Sequence, residues 1–234
     1  MTRPPHRIAL LNPNTNTATT TLMTGIAQAL CPPKVEVQGH TMMLGPSIIT
    51  NEAALDAAAK QVVTVGVGLA SAGADALIVS AFGDPGLMEL RDRVDIPVVG
   101  IAEAGMAEAS EGGRRFSIIT TTPDLDASIR SKVALYGHDD HLASLRISEG
   151  DAFAVMSDEA RMSAALISIA QQCETDGAEA LLLGGGPLAR AAKAVDNAIP
   201  LPIIEPVSAG LRQALVALGL STPFLEKRSE MSLS

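Results

Sequence analysis

The feature that most constrains this chain is the stretch Ala76–Leu87. A short apolar run, Ala76-Leu77-Ile78-Val79, climbs into the Gly- and Pro-rich turn Ser80-Ala81-Phe82-Gly83-Asp84-Pro85-Gly86. An apolar run of that length, bounded by turn residues, reads as a parallel strand buried on both faces. Ligands of α/β sheets sit just beyond the carboxyl ends of such strands. Ser80 to Asp84 is therefore where chemistry is expected.

The rest of the chain repeats this grammar. Ile8–Leu11 is strand-like and ends at Asn12-Pro13-Asn14-Thr15, with Thr15 or Asn16 placed to cap the next helix. Val35–Val37 alternates like a second strand. Asn51 is an N-cap for a long helix through Ala72, in which Gly66 and Gly68 suggest close backbone packing. A helix is expected from about Pro85, and Pro97–Ile101 is the next strand. Phe116–Ile119 is a strand ending at Thr120-Thr121-Thr122-Pro123, where Thr122 can cap a helix running to about Gly137. Leu142–Ile147 is strand-like, Ser157 is placed to cap a helix to about Thr175, and Ala180–Leu183 runs into Gly184-Gly185-Gly186-Pro187. Pro202–Ile204 is the last strand, followed by a helix to Gly219.

Laid side by side, the two halves match. Leu10-Leu11-Asn12-Pro13 pairs with Ile118-Ile119-Thr120-Thr121, Ile78-Val79-Ser80-Ala81 with Leu182-Leu183-Gly184-Gly185, and Pro97-Val98-Val99 with Pro202-Ile203-Ile204. The separations agree within about four residues, the mark of a duplicated unit. The expected fold is α/β: two similar halves with parallel sheets, related by a pseudo-twofold axis, with the active site in the cleft between them. One half spans 1–113, completed by the C-terminal helix 206–220. The other spans 114–205, and 221–234 is a flexible tail. A single doubly wound sheet is the alternative.

Composition narrows the function. The formal net charge of -9 argues against nucleic acid and anionic membranes as partners. The start of the chain has no apolar signal segment, and no stretch reaches the roughly 18 uncharged apolar residues of a membrane span. A cytoplasmic protein is expected, with a small-molecule substrate and further copies of itself as partners. Two cysteines cannot build a disulfide scaffold. His40, His138 and His141 show no metal-ligand spacing, so no metal is expected.

Four motifs resemble the hydantoin and allantoin racemases of the aspartate/glutamate racemase superfamily. They are Leu10-Leu11-Asn12-Pro13-Asn14-Thr15 with Thr19-Thr20, Phe82-Gly83-Asp84-Pro85-Gly86-Leu87, Pro97 through Ala104, and Arg115 through Thr121. They run in order over nearly the whole chain, Ile8 to Leu220. The resemblance implies a cofactor-independent isomerase in which two cysteines face each other across the substrate's stereocentre, one removing the α-proton and the other returning a proton.

This chain departs from that pattern. The resemblance places the first cysteine where Ala81 stands and the second where Gly185 stands. Neither Ala nor Gly can move a proton. Cys31, at a helix end, and Cys173, on the Leu166–Ile169–Cys173 stripe, read as structural thiols. Asp84 is the carboxylate nearest the empty cysteine position and is the candidate base, though an Asp before Pro also caps helices.

Asn14, Thr15, Phe82, Gly83, Thr120, Thr121, Gly186 and Pro187 are the candidate substrate-binding residues, through hydroxyls, amides and backbone N–H groups. Turn formation and helix capping explain several of the same residues. Ser80 is expected to point away from the cleft by strand alternation. Glu205 stands at a strand end and can contact either cleft or solvent; Glu103 is a candidate buried hydrogen-bonding partner. The expected function is racemase-like, on a small carboxylate, hydantoin or ureide. The alternatives are a hydrolase, lyase or decarboxylase on the same scaffold, or a non-catalytic binder.

Overall fold

The computed structural model describes residues 5–149 and 152–220; the predicted tail at 221–234 lies outside them. In chain order the elements are β1 (His6–Asn12), α1 (Thr17–Ala29), β2 (Val35–Thr41), α2 (Glu52–Ser71), β3 (Ala76–Val79), α3 (Leu87–Arg91), β4 (Val98–Gly100), α4 (Ile101–Ala109), β5 (Phe116–Thr120), α5 (Asp126–Leu135), β6 (Leu142–Ile147), α6 (Ala152–Ser157), α7 (Glu159–Thr175), β7 (Ala180–Leu183), α8 (Ala192–Asp196), β8 (Ile203–Ile204) and α9 (Pro206–Ala217). They form two parallel four-stranded sheets, ordered β2-β1-β3-β4 and β6-β5-β7-β8. The second order repeats the first, four strands later, so the two halves share one topology.

Strand alternation divides the core into three layers. Ile8, Leu10 and Ile78 of the first sheet and Phe116, Ile118 and Leu182 of the second all face one central cluster with Met23, Ile101, Met106 and Leu211 from the helices between the sheets. Ala9, Leu11, Leu77 and Val79 point outward onto α2 and α3. Ile119, Leu181 and Leu183 point outward onto α7 and α8. α9 packs on α4 and α1 and lies over β3 and β4 of the first sheet. By length and composition α2 is apolar enough to cross a bilayer; here it lays Val62 and Val63 against the outer face of the first sheet.

Helix starts follow local chemistry. Asn16 accepts from the Thr19 N–H and Asn51 from the Ala54 N–H, each satisfying a donor that the first helical turn leaves open. α7 begins one residue later than the Ser157 cap predicts. Asp158 takes both the Ala160 and Arg161 N–H groups, while Ser157 ends the short α6 and donates to the Ala154 carbonyl. Glu205 caps α9 through Val207 and Ser208. Gly66 packs on Leu90, whereas Gly68 has no neighbour within 4 Å of where a Cβ would stand.

Candidate active site

In each sheet, the two central strands send their chains to opposite faces. After β1 the chain enters α1 on the central layer; after β3 it enters α3 on the outer layer. After β5 it enters α5 centrally, and after β7 it enters α8 outside. Each divergence opens a crevice at the strands' carboxyl ends, the place where α/β sheets bind ligands. The two crevices share one cavity. It is lined by Asn14 after β1, Ser80, Ala81 and Phe82 after β3, Thr120, Thr121 and Thr122 at and after β5, and Gly184 to Leu188 after β7. Ile48, Ile49, Leu55 and Leu125 complete an apolar wall.

Of the residues singled out from the sequence, Asn14, Ala81, Phe82, Thr120, Thr121, Gly185, Gly186 and Pro187 line this cavity. Thr15 does not; its N–H donates to the Pro46 carbonyl and ties the loop after β2 to this turn. Gly83 lies against Leu55 outside the lining. Ser80 corrects the alternation argument. It lines the cavity beside Ala81 and Phe82, while its N–H still donates to the Leu11 carbonyl of β1. Ile48, Ile49 and Leu125 had only a weak signal, an apolar pair inside a Gly-Pro-Ser loop and a Leu just past a turn.

Asp84 is placed elsewhere. It is buried, in a left-handed backbone conformation (φ 47°), and does not line the cavity. Its carboxylate accepts from the N–H groups of Ala102 and Glu103 at the start of α4 and from the Tyr136 hydroxyl. Burial pushes its carboxyl up to about 6, against the pull of those three donors and of Lys132. Asp84 thus caps a helix 18 residues further on, and its oxygens are directed away from the cavity. Glu103 pairs with Arg91. Glu205 is taken up in capping α9, away from the cavity.

Neither cysteine reaches the site. Cys31 ends α1 half-buried, its thiol pushed up to about 11 by burial. Cys173 is buried on α7 beside Ser144, and burial raises its thiol too. His6 lies on β1, His40 on β2, and His138 and His141 just before β6; none lines the cavity. No cluster of three or more His, Cys, Asp or Glu side chains suited to a metal occurs among the described residues.

What the cavity offers is hydrogen bonding without ionisable side chains. Among the described residues no carboxylate, imidazole, amine or thiol lines it. The backbone N–H groups of Ala81, Phe82, Gly185 and Gly186 have no protein acceptor among the described residues. Two Gly-rich turns with free N–H groups, facing one space, suit a carboxylate or a developing enolate oxygen.

Paired parallel sheets with a shared switch-point cavity define an α/β architecture of two like halves. The profile of the Asp/Glu/Hydantoin racemase family matches residues 8–214, and the chain belongs to that family. It is 30% identical over 222 residues to a hydantoin racemase of Paenarthrobacter aurescens, covering 92% of this chain and 93% of that one. A hydantoin racemase of Rhizobium meliloti is 30% identical over 219 residues, with 91% and 88% covered. The structure of an allantoin racemase from Klebsiella pneumoniae superposes with a TM-score of 0.86 at 31% identity, over 93% of this chain and 90% of that one.

Proposed function

We propose that this chain is a hydantoin/allantoin racemase-like enzyme. It acts without a cofactor on a small carboxylate, hydantoin or ureide, and without two-cysteine proton transfer. The observation that carries this reading is the cavity itself. Free backbone N–H groups and hydroxyls from both halves converge on it, while Ala81 and Gly185 stand where thiols are expected. The barrier in such chemistry is the weak acidity of the carbon next to the carbonyl. N–H donors aimed at the carbonyl or carboxylate oxygen stabilise the anion that forms there. The proton is then exchanged with water admitted to the cavity.

A second reading is favoured by the lack of any base in the lining. Loss of CO2 from a carboxylate creates the same anion with no proton to remove: the C–C electron pair stays on the α-carbon, and water supplies the proton afterwards. One experiment separates the two. Optically pure hydantoins, allantoin and small α-substituted carboxylates and malonates are incubated with the protein in D2O and followed by NMR and polarimetry. Deuterium at the α-carbon with loss of rotation supports racemisation. Release of CO2 with deuterium uptake supports decarboxylation. A panel that stays intact and unlabelled, yet raises the unfolding temperature, identifies a binder and overturns both.

A further inference from the structure

The cavity's two walls are related by the internal repeat and both offer backbone N–H groups, yet one matched pair of side chains, Asn14 and Thr122, differs in hydrogen-bonding character. In the first half, Asn12 is the last residue of β1, and Asn14 follows two places on. The Asn16 backbone N–H donates to the Asn14 side chain at 2.9 Å. A backbone N–H can only donate, so the Asn14 atom there is Oδ1. The buried Asn12 NH2 donates to the same oxygen at 2.9 Å, sharing its two protons with the Thr20 hydroxyl oxygen and the Asn16 carbonyl, while Asn12 Oδ1 accepts from the Asn14 N–H. Thr20 is braced in turn by Thr41 on β2. With Oδ1 turned inward, the Asn14 NH2 has no protein acceptor among the described residues and is left to the cavity that Asn14 lines.

In the second half, Thr120 is the last residue of β5, and Thr122 follows two places on. Thr120 donates its single hydroxyl proton to the Gly184 carbonyl, 3.2 Å away. The 3.1 Å contact between the Thr120 and Thr122 hydroxyls is then a hydrogen bond only if Thr122 donates. Thr122 does not cap the helical turn that follows it. Its proton is spoken for and its oxygen lone pairs remain. The same two strand-end positions thus present a donor on one wall and an acceptor on the other.

We infer that Asn12 and Thr120 are positioning residues that make Asn14 an obligate donor and Thr122 an obligate acceptor, so that the cavity selects ligands carrying a carbonyl oxygen and an N–H on opposite edges. The inference rests on this cavity being the substrate site proposed above. A ligand with oxygen in place of that N–H sets lone pair against lone pair at Thr122, and a buried mismatch of this kind lowers affinity by about tenfold or more.

The probe pair is 5-oxoproline and its lactone analogue, which have the same ring and carboxylate but carry ring N–H and ring oxygen respectively. Their affinities are measured by calorimetry for the full chain and for Thr120→Val, Thr120→Ser and Thr122→Val. The expected result is a lactam preference of about tenfold in the unaltered chain. It is kept in Thr120→Ser and lost in Thr120→Val, whose Thr122 hydroxyl is free to rotate and donate, and in Thr122→Val. Thr120→Val is close to isosteric, and Thr120→Ser guards against a merely structural effect. Equal affinities in the unaltered chain, or a preference that survives Thr120→Val, overturn the inference while leaving the proposed function standing. A lactam preference without turnover of any compound in the D2O panel supports the inference and overturns the catalytic reading. If neither probe binds at millimolar concentration, both fall.

Discussion

The Tyr136 hydroxyl donates to the Asp84 carboxylate at 2.8 Å, joining the end of α5 to the turn that leaves β3. That bond, with the two α4 N–H groups, holds a buried carboxyl whose pKa is nevertheless raised to about 6 by burial. The folded state therefore binds the proton more tightly than the unfolded chain, where the value is 3.8. Asp84's contribution to stability is full below pH 4 and declines as pH rises toward 6, by about 3 kcal/mol in all. Asp84→Asn removes this slope, so urea-unfolding free energies of variant and unaltered chain converge or cross between pH 4 and 6. Tyr136→Phe takes away a donor to the charged form, raises the carboxyl further, and destabilises the protein by about 2 kcal/mol at pH 8. Parallel pH profiles for Asp84→Asn and the unaltered chain would show that Asp84 titrates normally.

Gly100 has a steric duty to the same carboxylate. A Cβ at Gly100 would stand 2.4–2.6 Å from the Asp84 carboxyl atoms. Gly100→Ala is expected to destabilise by about 3 kcal/mol, the upper range for overpacking a core site. In an Asp84→Ala background the same change should be close to neutral, because the clash is gone. A double-mutant cycle by denaturant unfolding measures the coupling; additive effects would locate the strain elsewhere.

Two glycines of α2 should respond oppositely to alanine. Gly66 faces Leu90, whose methyl groups would lie 2.6–2.8 Å from a new Cβ, while Gly68 faces open space. Gly68→Ala should stabilise by roughly 0.5–1 kcal/mol through helix propensity alone. Gly66→Ala should destabilise, since fully buried Leu90 has little room to yield. Thermal unfolding of the two variants gives the signs directly.

A pair of thiols can be built into the cavity at Ala81 and Gly185. A Cβ at Gly185 would meet nothing nearer than 3.8 Å, at the cost of strain from its φ of 159°, and Ala81 lines the same cavity. Ala81→Cys/Gly185→Cys is expected to raise α-proton exchange in D2O by about a hundredfold over either single variant, the scale of a positioned acid–base pair. Iodoacetamide should abolish that gain. The unaltered chain should be insensitive to the same reagent, since burial raises both of its own thiols.

The sequence carried the architecture because buried parallel strands announce themselves as short apolar runs ending in turn residues. The caps at Asn16 and Asn51 were legible for the same local reason. The cavity's frame was legible through the repeat, which sets Asn14 against Thr122 and Ala81 against Gly185. What was hidden depends on partners distant in sequence. Nothing around Asp84 signals that its oxygens reach Ala102, Glu103 and Tyr136. Thr122 looks like a cap, and only the Gly184 carbonyl, brought in by β7 pairing with β5, diverts it to Thr120. Ser80 was misdirected because alternation was drawn from Ala81, which already lies in the turn, where a period-two rule no longer separates neighbours; both residues line the cavity.

The helix that follows the last strand lies over the first sheet. α9, Pro206–Ala217, covers β3 and β4 and seats Leu211 among Ile78, Ile101 and Met106. During synthesis, the half made first must therefore wait with an apolar face exposed until residues 206–217 have left the ribosome. A nascent chain stalled before residue 206 is expected to be a substrate for chaperones, however complete its first four strands.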